Sequence, residues 1–276
     1  MVAIGQFNQL EIVKDSDKGL HLDAGKFGEI LLPRRFVKTR SKVGDRVEVF
    51  VYLDSDDRVV ATTETPHATE GSFAWLKVAE VNSVGAFLDW GLPKDLLLPF
   101  AQQKFTPEVG KRVMVRVYLD NSNRLAASSR IDNYLQDEAP DYKVGQVVDL
   151  LIADKTELGF KAIVDNTYWG ILYSNELFQP IKKGENITGY VKRVREDNKL
   201  DITLTQPGYE KIPGVAEQIL DVLKEHDGYL MITDKSSPEA IRSVFKISKK
   251  VYKKAVGALY KERRIAIEEK GIRLIE

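Results

Sequence analysis

From Arg112 to Leu119 the side chains alternate in character. Val113, Val115, Val117 and Leu119 fall on one side, with Arg112, Met114, Arg116 and Tyr118 on the other, the period of a half-buried strand. A polar turn, "DNSN", and a second short apolar run follow. Upstream, "SFAWLKVAEV", "GAFLDW" and "LLLPF" are three more runs of strand length. Five short strands within residues 71–130, with glycines at the bends, predict a small five-stranded barrel of the OB type. A small sandwich or an SH3-like barrel is the alternative.

The same pattern occurs more than once. Sliding the chain by 66 positions aligns residues 5–64 with 71–130 without a gap, with 22 identities in 60 pairs. Gly5 falls on Gly71, Gly19 on Gly85, Pro33 on Pro99, Gly44 on Gly110, Asp54 on Asp120 and Arg58 on Arg124. A further slide of 74 places Gly145, Gly159 and Gly184 on Gly71, Gly85 and Gly110. The closing strand and turn return as "GYVKRVREDNKLDITL", where the extra residue is assigned to the turn. Glycines in register across three copies indicate duplication of one module.

The last stretch changes period. Val215, Ile219, Val222 and Leu223 recur at helical spacing in a helix ended by Gly228. "SSPEAIRSVF" opens with helix-starting residues. In "SKKVYKKAVGALYKE", Val251, Tyr252, Ala255, Val256, Leu259 and Tyr260 form one apolar stripe, and lysines line the rest. Two short strands are expected around Glu269-Lys270-Gly271. Three helices and a terminal hairpin predict a winged helix. The expected fold is therefore mainly β: three tandem OB-fold five-stranded barrels over residues 1–66, 67–142 and 143–212, then a C-terminal α+β winged-helix domain over 213–276. "DNYLQDEAPDYK" and "QPGYEKIPG" are read as exposed linkers.

Charge changes this picture only by region. Lys plus Arg equals Asp plus Glu, at 41 each, so no global charge points to a partner. The four stretches carry −1, −2, 0 and +3. The last includes Lys246, Lys249, Lys250, Lys253 and Lys254 with no acid between them, which favours phosphate contact over a merely solvated face. No cysteine means no disulfide and no thiolate metal site. His21, His67 and His226 are scattered, so no metal-ligand spacing or catalytic triad is visible. "DSDD" at residues 54–57 lacks the glycine and distal Glu of a cation loop, and no glycine-rich phosphate loop is found. The reading is non-enzymatic, without cofactor or metal. The N-terminus lacks the pattern of a signal peptide, and no apolar run approaches a membrane span, so a cytoplasmic protein with no membrane partner is expected.

"GSFAWLKVAEVNSVGAFLDWG…LLLPF…VGKRVMVRVYLDNSNRLAAS" resembles an S1 RNA-binding domain through Gly71, the run Gly85-Ala86-Phe87-Leu88, Val109-Gly110, and the pair Asp120 and Arg124. Three such modules followed by a helical tail resemble the conserved virulence factor B family of bacterial S1-type proteins over essentially the whole chain.

The resemblance implies a binding face built from second-strand aromatics, a third-strand His, and an Asp and Arg at the last turn. The first copy places His21 and Pro33 at the aromatic and His positions and keeps Asp54 and Arg58. The second keeps Phe87, Asp120 and Arg124 but has Pro99 where His is expected. These five retained residues form a weaker candidate set, with pairing across a turn as the equal alternative. The third places Lys161 and Tyr173 at the aromatic and His positions, and Arg195 and Lys199 at the last turn. Trp169, Lys192 and Arg193 lie beside them in sequence. Aromatic faces plus cations are what a single strand needs. The candidate RNA-binding set is thus Lys161, Trp169, Tyr173, Lys192, Arg193, Arg195 and Lys199, with the five lysines from Lys246 to Lys254. The partner expected is single-stranded RNA, bound by a monomer, and the resemblance implies post-transcriptional, virulence-linked control of gene expression. A duplex-DNA regulator using the winged helix, and a scaffold for RNA-processing or ribosomal proteins, are the alternatives.

Overall fold

Each copy closes into a five-stranded barrel. The computed structural model describes residues 1–37, 41–139, 141–177, 180–205, 212–245 and 247–275. The first barrel comprises β1 (Phe7–Ser16), β2 (Gly19–Asp23), β3 (Glu29–Pro33), β4 (Arg46–Leu53) and β5 (Val59–Thr62). The second holds β6 (Phe73–Val81), β7 (Gly85–Asp89), β8 (Leu96–Pro99), β9 (Arg112–Leu119) and β10 (Leu125–Ser128). The third holds β11 (Val147–Lys155), β12 (Gly159–Val164), β13 (Tyr168–Tyr173), β14 (Asn186–Val194) and β15 (Leu200–Thr203). In each, the first strand pairs antiparallel with the second and fourth, and the third and fifth run parallel to close the barrel, which is the OB arrangement.

The repeated residues recur for physical reasons. A Cβ on Gly19, Gly85 or Gly159 would lie 2.1, 2.5 or 1.9 Å from the carbonyl oxygen of Leu32, Leu98 or Leu172, so only glycine lets the second and third strands meet there. The first strand slips register at one equivalent place in all three copies, between Ile12 and Lys14, Val78 and Glu80, and Ile152 and Asp154. The last turns are also superimposable in pattern. Asp57, Asn123 and Asn198 take φ of 59°, 57° and 56°, and Asp54, Asp120 and Arg195 donate their N–H to the carbonyls of Arg58, Arg124 and Lys199 at 2.9, 2.8 and 2.9 Å. The third copy's extra residue therefore does not sit in the turn, as its sequence suggested. It is a bulge in β14, where pairing with β15 slips between Val191 and Arg193, and the bulged residue is Lys192.

The chain divides into two compact units, Met1–Gln136 and Asp137–Glu276. Within the first, the two barrels share apolar packing. Phe50, Tyr52 and Val60 belong to the same buried cluster as Leu88, Trp90 and Leu96, with the Phe50 and Trp90 rings edge to face at 5.8 Å. Lys94 Nζ donates to the carbonyls of Leu53 and Asp54 at 3.3 and 2.6 Å. The indole N–H of Trp90 in turn donates to the Lys94 carbonyl at 2.6 Å.

The boundary between the two units falls within "DNYLQDEAPDYK", most of whose described residues are exposed, but a few of its side chains and backbone groups are anchored. In the first unit, Tyr134 packs under the Arg116 guanidinium at 5.1 Å. In the second, Ala139 is buried and its N–H reaches the Asn198 carbonyl at 2.8 Å, while the Tyr142 hydroxyl donates to Asp165 at 2.7 Å. Burial and the Asp165 charge both push that tyrosine's pKa up. Most of "QPGYEKIPG", residues 206–211, lies outside the described residues.

The C-terminal fold is the expected winged helix: α1 (Ile212–Glu225), β16 (Tyr229–Leu230), α2 (Pro238–Phe245), α3 (Lys249–Lys261), β17 (Ile265–Ile267) and β18 (Ile272–Leu274), with sheet order β16-β18-β17. Ser237 and Ser248 Oγ accept the N–H groups of Ala240 and Val251 at 3.2 Å, starting α2 and α3. Tyr252, Ala255, Val256 and Leu259 are fully buried, and Tyr252 stacks on Phe245 at 5.1 Å. Tyr260, placed in the same stripe by sequence, is instead exposed at the helix end.

Candidate nucleic-acid interface

On the third barrel, the outward positions of β12 and β13 carry Lys161, Trp169 and Tyr173, because alternation sends Ala162, Gly170 and Leu172 inward. Lys161 Nζ sits 3.7 Å from the Trp169 ring centroid, and the indole is only 8% exposed. Trp169 is thus a buried support for Lys161 and not the open stacking platform expected from sequence. Tyr173 is the half-buried aromatic of this face. Its hydroxyl donates to Asp201 Oδ1 at 3.2 Å, and Lys192 Nζ lies 5.8 Å from its ring.

The cations divide by what already holds them. Arg195 Nε donates to Asp201 Oδ1 at 2.9 Å. Burial works against the Arg195 cation, but the Asp201 charge and hydrogen bond outweigh it and raise its pKa. Arg195 is therefore committed to Asp201 and does not stand open to a phosphate as its place in the pattern suggested. Lys192 pairs with Glu176, and Lys199 with Asp197 at 3.4 Å, both near the surface. Arg193 is exposed, with no ion pair or side-chain hydrogen bond among the described residues. Asp201 went unseen in sequence. Its equivalents in the other barrels are the apolar Val60 and Ala126, each paired with the third strand as Asp201 is. An acid where two copies have small apolar residues was the available signal.

In the first unit the retained pairs are internally satisfied. Asp54 accepts N–H bonds from Asp56 and Arg58 at 2.9 and 3.0 Å, and Arg58 closes on Asp54 and Asp56 at 2.8 and 2.7 Å. Burial raises the Asp54 pKa, but these bonds outweigh it and hold the carboxyl below the usual carboxylate range. Asp120 accepts the N–H groups of Ser122 and Arg124 at 2.7 and 3.0 Å. Arg124 does not turn back to Asp120; it reaches Asp57 of the first barrel at 2.6 Å. Phe87 is half-buried on β7.

On the winged helix, Lys250, Lys253 and Lys254 are exposed on α3. The run is less free of acids than its sequence: Lys253 meets Asp234 at 3.5 Å, and Lys249 Nζ donates to the Lys235 carbonyl at 3.4 Å. Lys246 lies outside the described residues. Within this unit the Arg242 guanidinium of α2 donates to the Asn175 carbonyl. Asn175 belongs to the short turn Ser174–Glu176 that also supplies Glu176 to Lys192. Among the described residues no cluster of His, Asp and Glu could hold a metal, and no helix is long and apolar enough to cross a membrane.

The S1 domain family matches residues 4–64 and 71–130, and the CvfB-like winged helix domain matches 217–274. Conserved virulence factor B of Staphylococcus saprophyticus is 26% identical over 283 residues, covering 99% of this chain and 95% of the relative. The Staphylococcus aureus protein of the same name is 28% identical over 241 residues, covering 84% and 80%. The chain is a conserved virulence factor B homologue. A solved Streptococcus pneumoniae structure, described as a multidomain protein with nucleic acid binding domains, is 24% identical, covers 99% of this chain and 98% of its own, and has a TM-score of 0.43. The S1 and winged helix domains of this conserved virulence factor B homologue suggest nucleic-acid binding.

Proposed function

We propose that the protein binds single-stranded RNA without catalysis, in the cytoplasm, as a post-transcriptional regulator. The strand lies on the third barrel and continues to the winged helix. The observation that carries this reading is the outward face of the third barrel, where Tyr173 lies beside Lys192, and the next residue of β14, Arg193, is exposed. A π-face flanked by cations holds a base and its phosphate together, and each stacked base contributes about 1–3 kcal/mol. The Arg242 contact to the turn beneath Lys192 brings α2 to the edge of this face, so α3's Lys250 and Lys254 extend the same cationic surface in this reading. In the first two barrels the corresponding Asp and Arg residues are spent on turns and on each other, which supports a lesser role there. The test is a filter-binding comparison of single-stranded RNA, single-stranded DNA and duplex DNA. RNA should bind tightest. Preference for duplex DNA would assign the winged helix to a major groove, and absence of binding to all three would leave a protein scaffold.

A further inference from the structure

The third barrel departs from its siblings at two positions that meet in space. Where the first two copies have Asp54 and Asp120 it has Arg195, and where they have Val60 and Ala126 it has Asp201. Asp201 lies on the outward side of β15, because Leu200 and Ile202 on either side of it enter the core, and it is only 7% exposed. Both of its hydrogen bonds, from the Tyr173 hydroxyl and from Arg195 Nε, fall on Oδ1. Oδ2 accepts none among the described residues, yet it is not sealed from solvent. The terminal nitrogens of the half-buried Arg195 likewise donate none among the described residues.

A pair kept only to balance charge would close fork to fork, with both oxygens and two nitrogens engaged. This one meets at a single oxygen and leaves an acceptor and donors together at the hydroxyl tip of Tyr173. A carboxylate repels phosphate, so this corner does not seat the backbone charge of a strand. It matches a neutral group that donates and accepts at once, as a hydroxyl does. On single-stranded RNA the 2′-hydroxyl is such a group, and every nucleotide carries it. Stacking on Tyr173 tolerates any base, so a contact to the sugar adds discrimination without imposing a sequence. Asp201 is also not among the positions that the S1 pattern gives to binding.

We propose that Asp201 selects ribose over deoxyribose. Its Oδ2 accepts the 2′-hydroxyl of the nucleotide stacked on Tyr173, and Arg195 donates to the oxygen of that hydroxyl. The inference rests on the stacking site proposed above and names the residue that makes it a site for RNA.

Filter binding of the full chain to decauridylate and to its 2′-deoxy and 2′-fluoro forms tests this. Fluorine cannot donate a hydrogen bond but keeps the sugar in the ribose pucker, so it isolates the donated proton. The parent protein should bind the ribose form about tenfold tighter than either of the others, the scale of one hydrogen bond to a charged group. Asp201→Ala, which copies the second barrel at that position, should cut the ratio to about twofold or less with deoxy affinity retained. Equal loss of ribose and deoxy affinity in that variant would reduce Asp201 to a support for Tyr173 and overturn the proposal. A 2′-fluoro strand that binds the parent as tightly as the ribose form overturns it too, with no variant needed. Equal binding of all three strands by the parent removes the selection and leaves the stacking site standing, whereas binding of none of them removes both.

Discussion

Tyr173 has two jobs that a single substitution can separate. Its ring faces Lys192, and its hydroxyl reaches Asp201, which also holds Arg195. Tyr173→Ala should weaken RNA binding by about 1–3 kcal/mol with little change in salt dependence, because no cation is lost. Tyr173→Phe should keep most of that affinity, so a filter-binding series on the two variants isolates the ring. Asp54 makes a different prediction at the same scale. Its carboxyl has a depressed pKa in the folded state, so it adds stability above its unfolded value, about pH 4. That contribution is lost as pH falls through the lower, folded value. Asp54→Asn should therefore lower stability at neutral pH and flatten the acid limb of melting temperature against pH below about 4. An acid limb identical to the parent's would remove Asp54 from the account.

The helix α3 presents lysines whose neighbours come from elsewhere in the chain. Lys253 is tied to Asp234 and Lys249 to a carbonyl, so fewer than four of them are available to phosphate. Changing Lys249, Lys250, Lys253 and Lys254 to Gln should flatten the slope of log affinity against log salt by about 1, at roughly 0.7 per phosphate on a single strand. Helix content should hold, since Gln and Lys have similar propensity and Tyr252 and Leu259 stay buried. Asp234 was invisible to a reading of helix spacing because it precedes α2 and meets Lys253 only through the fold. The strands were legible for the opposite reason: period-two alternation and the close approach at Gly19, Gly85 and Gly159 are local requirements written into each copy. β16 has two residues, too short for any period to show. The extra residue in the third copy was readable as a count but not as a place. Either a turn or a strand can absorb one residue, and only the pairing around Lys192 decides between them.

The two units predict a division of labour. A fragment of residues 137–276 should keep most RNA affinity and residues 1–136 should bind weakly, because the Tyr173–Lys192 face and the lysine-rich helix α3 both lie in the former. Equal affinities in filter binding would refute this. The sequence reading sets residues 1–66 and 67–142 apart as two separate modules, whereas Trp90 packs on Phe50 and Lys94 bonds to Leu53 and Asp54 across the repeat boundary. Such contacts join non-equivalent positions of different copies, 40 or 41 residues apart, and alignment of the copies cannot reveal them. Asp57 and Arg124 likewise stand 67 positions apart.

The bulge at Lys192 bears on how such a module changes over generations. A strand exposes every second side chain, so one added residue shifts the outward set while the inward set can stay as it was. Val191 and Ile202 remain in the core on one side of the slip, and Val194 and Leu200 pair on the other. A single inserted codon is thus enough to set a new cation beside Tyr173 without rewriting the interior. Copies of one ancestral barrel can diverge in what they hold by insertion, not only by substitution, and a relative lacking that codon would lack the lysine.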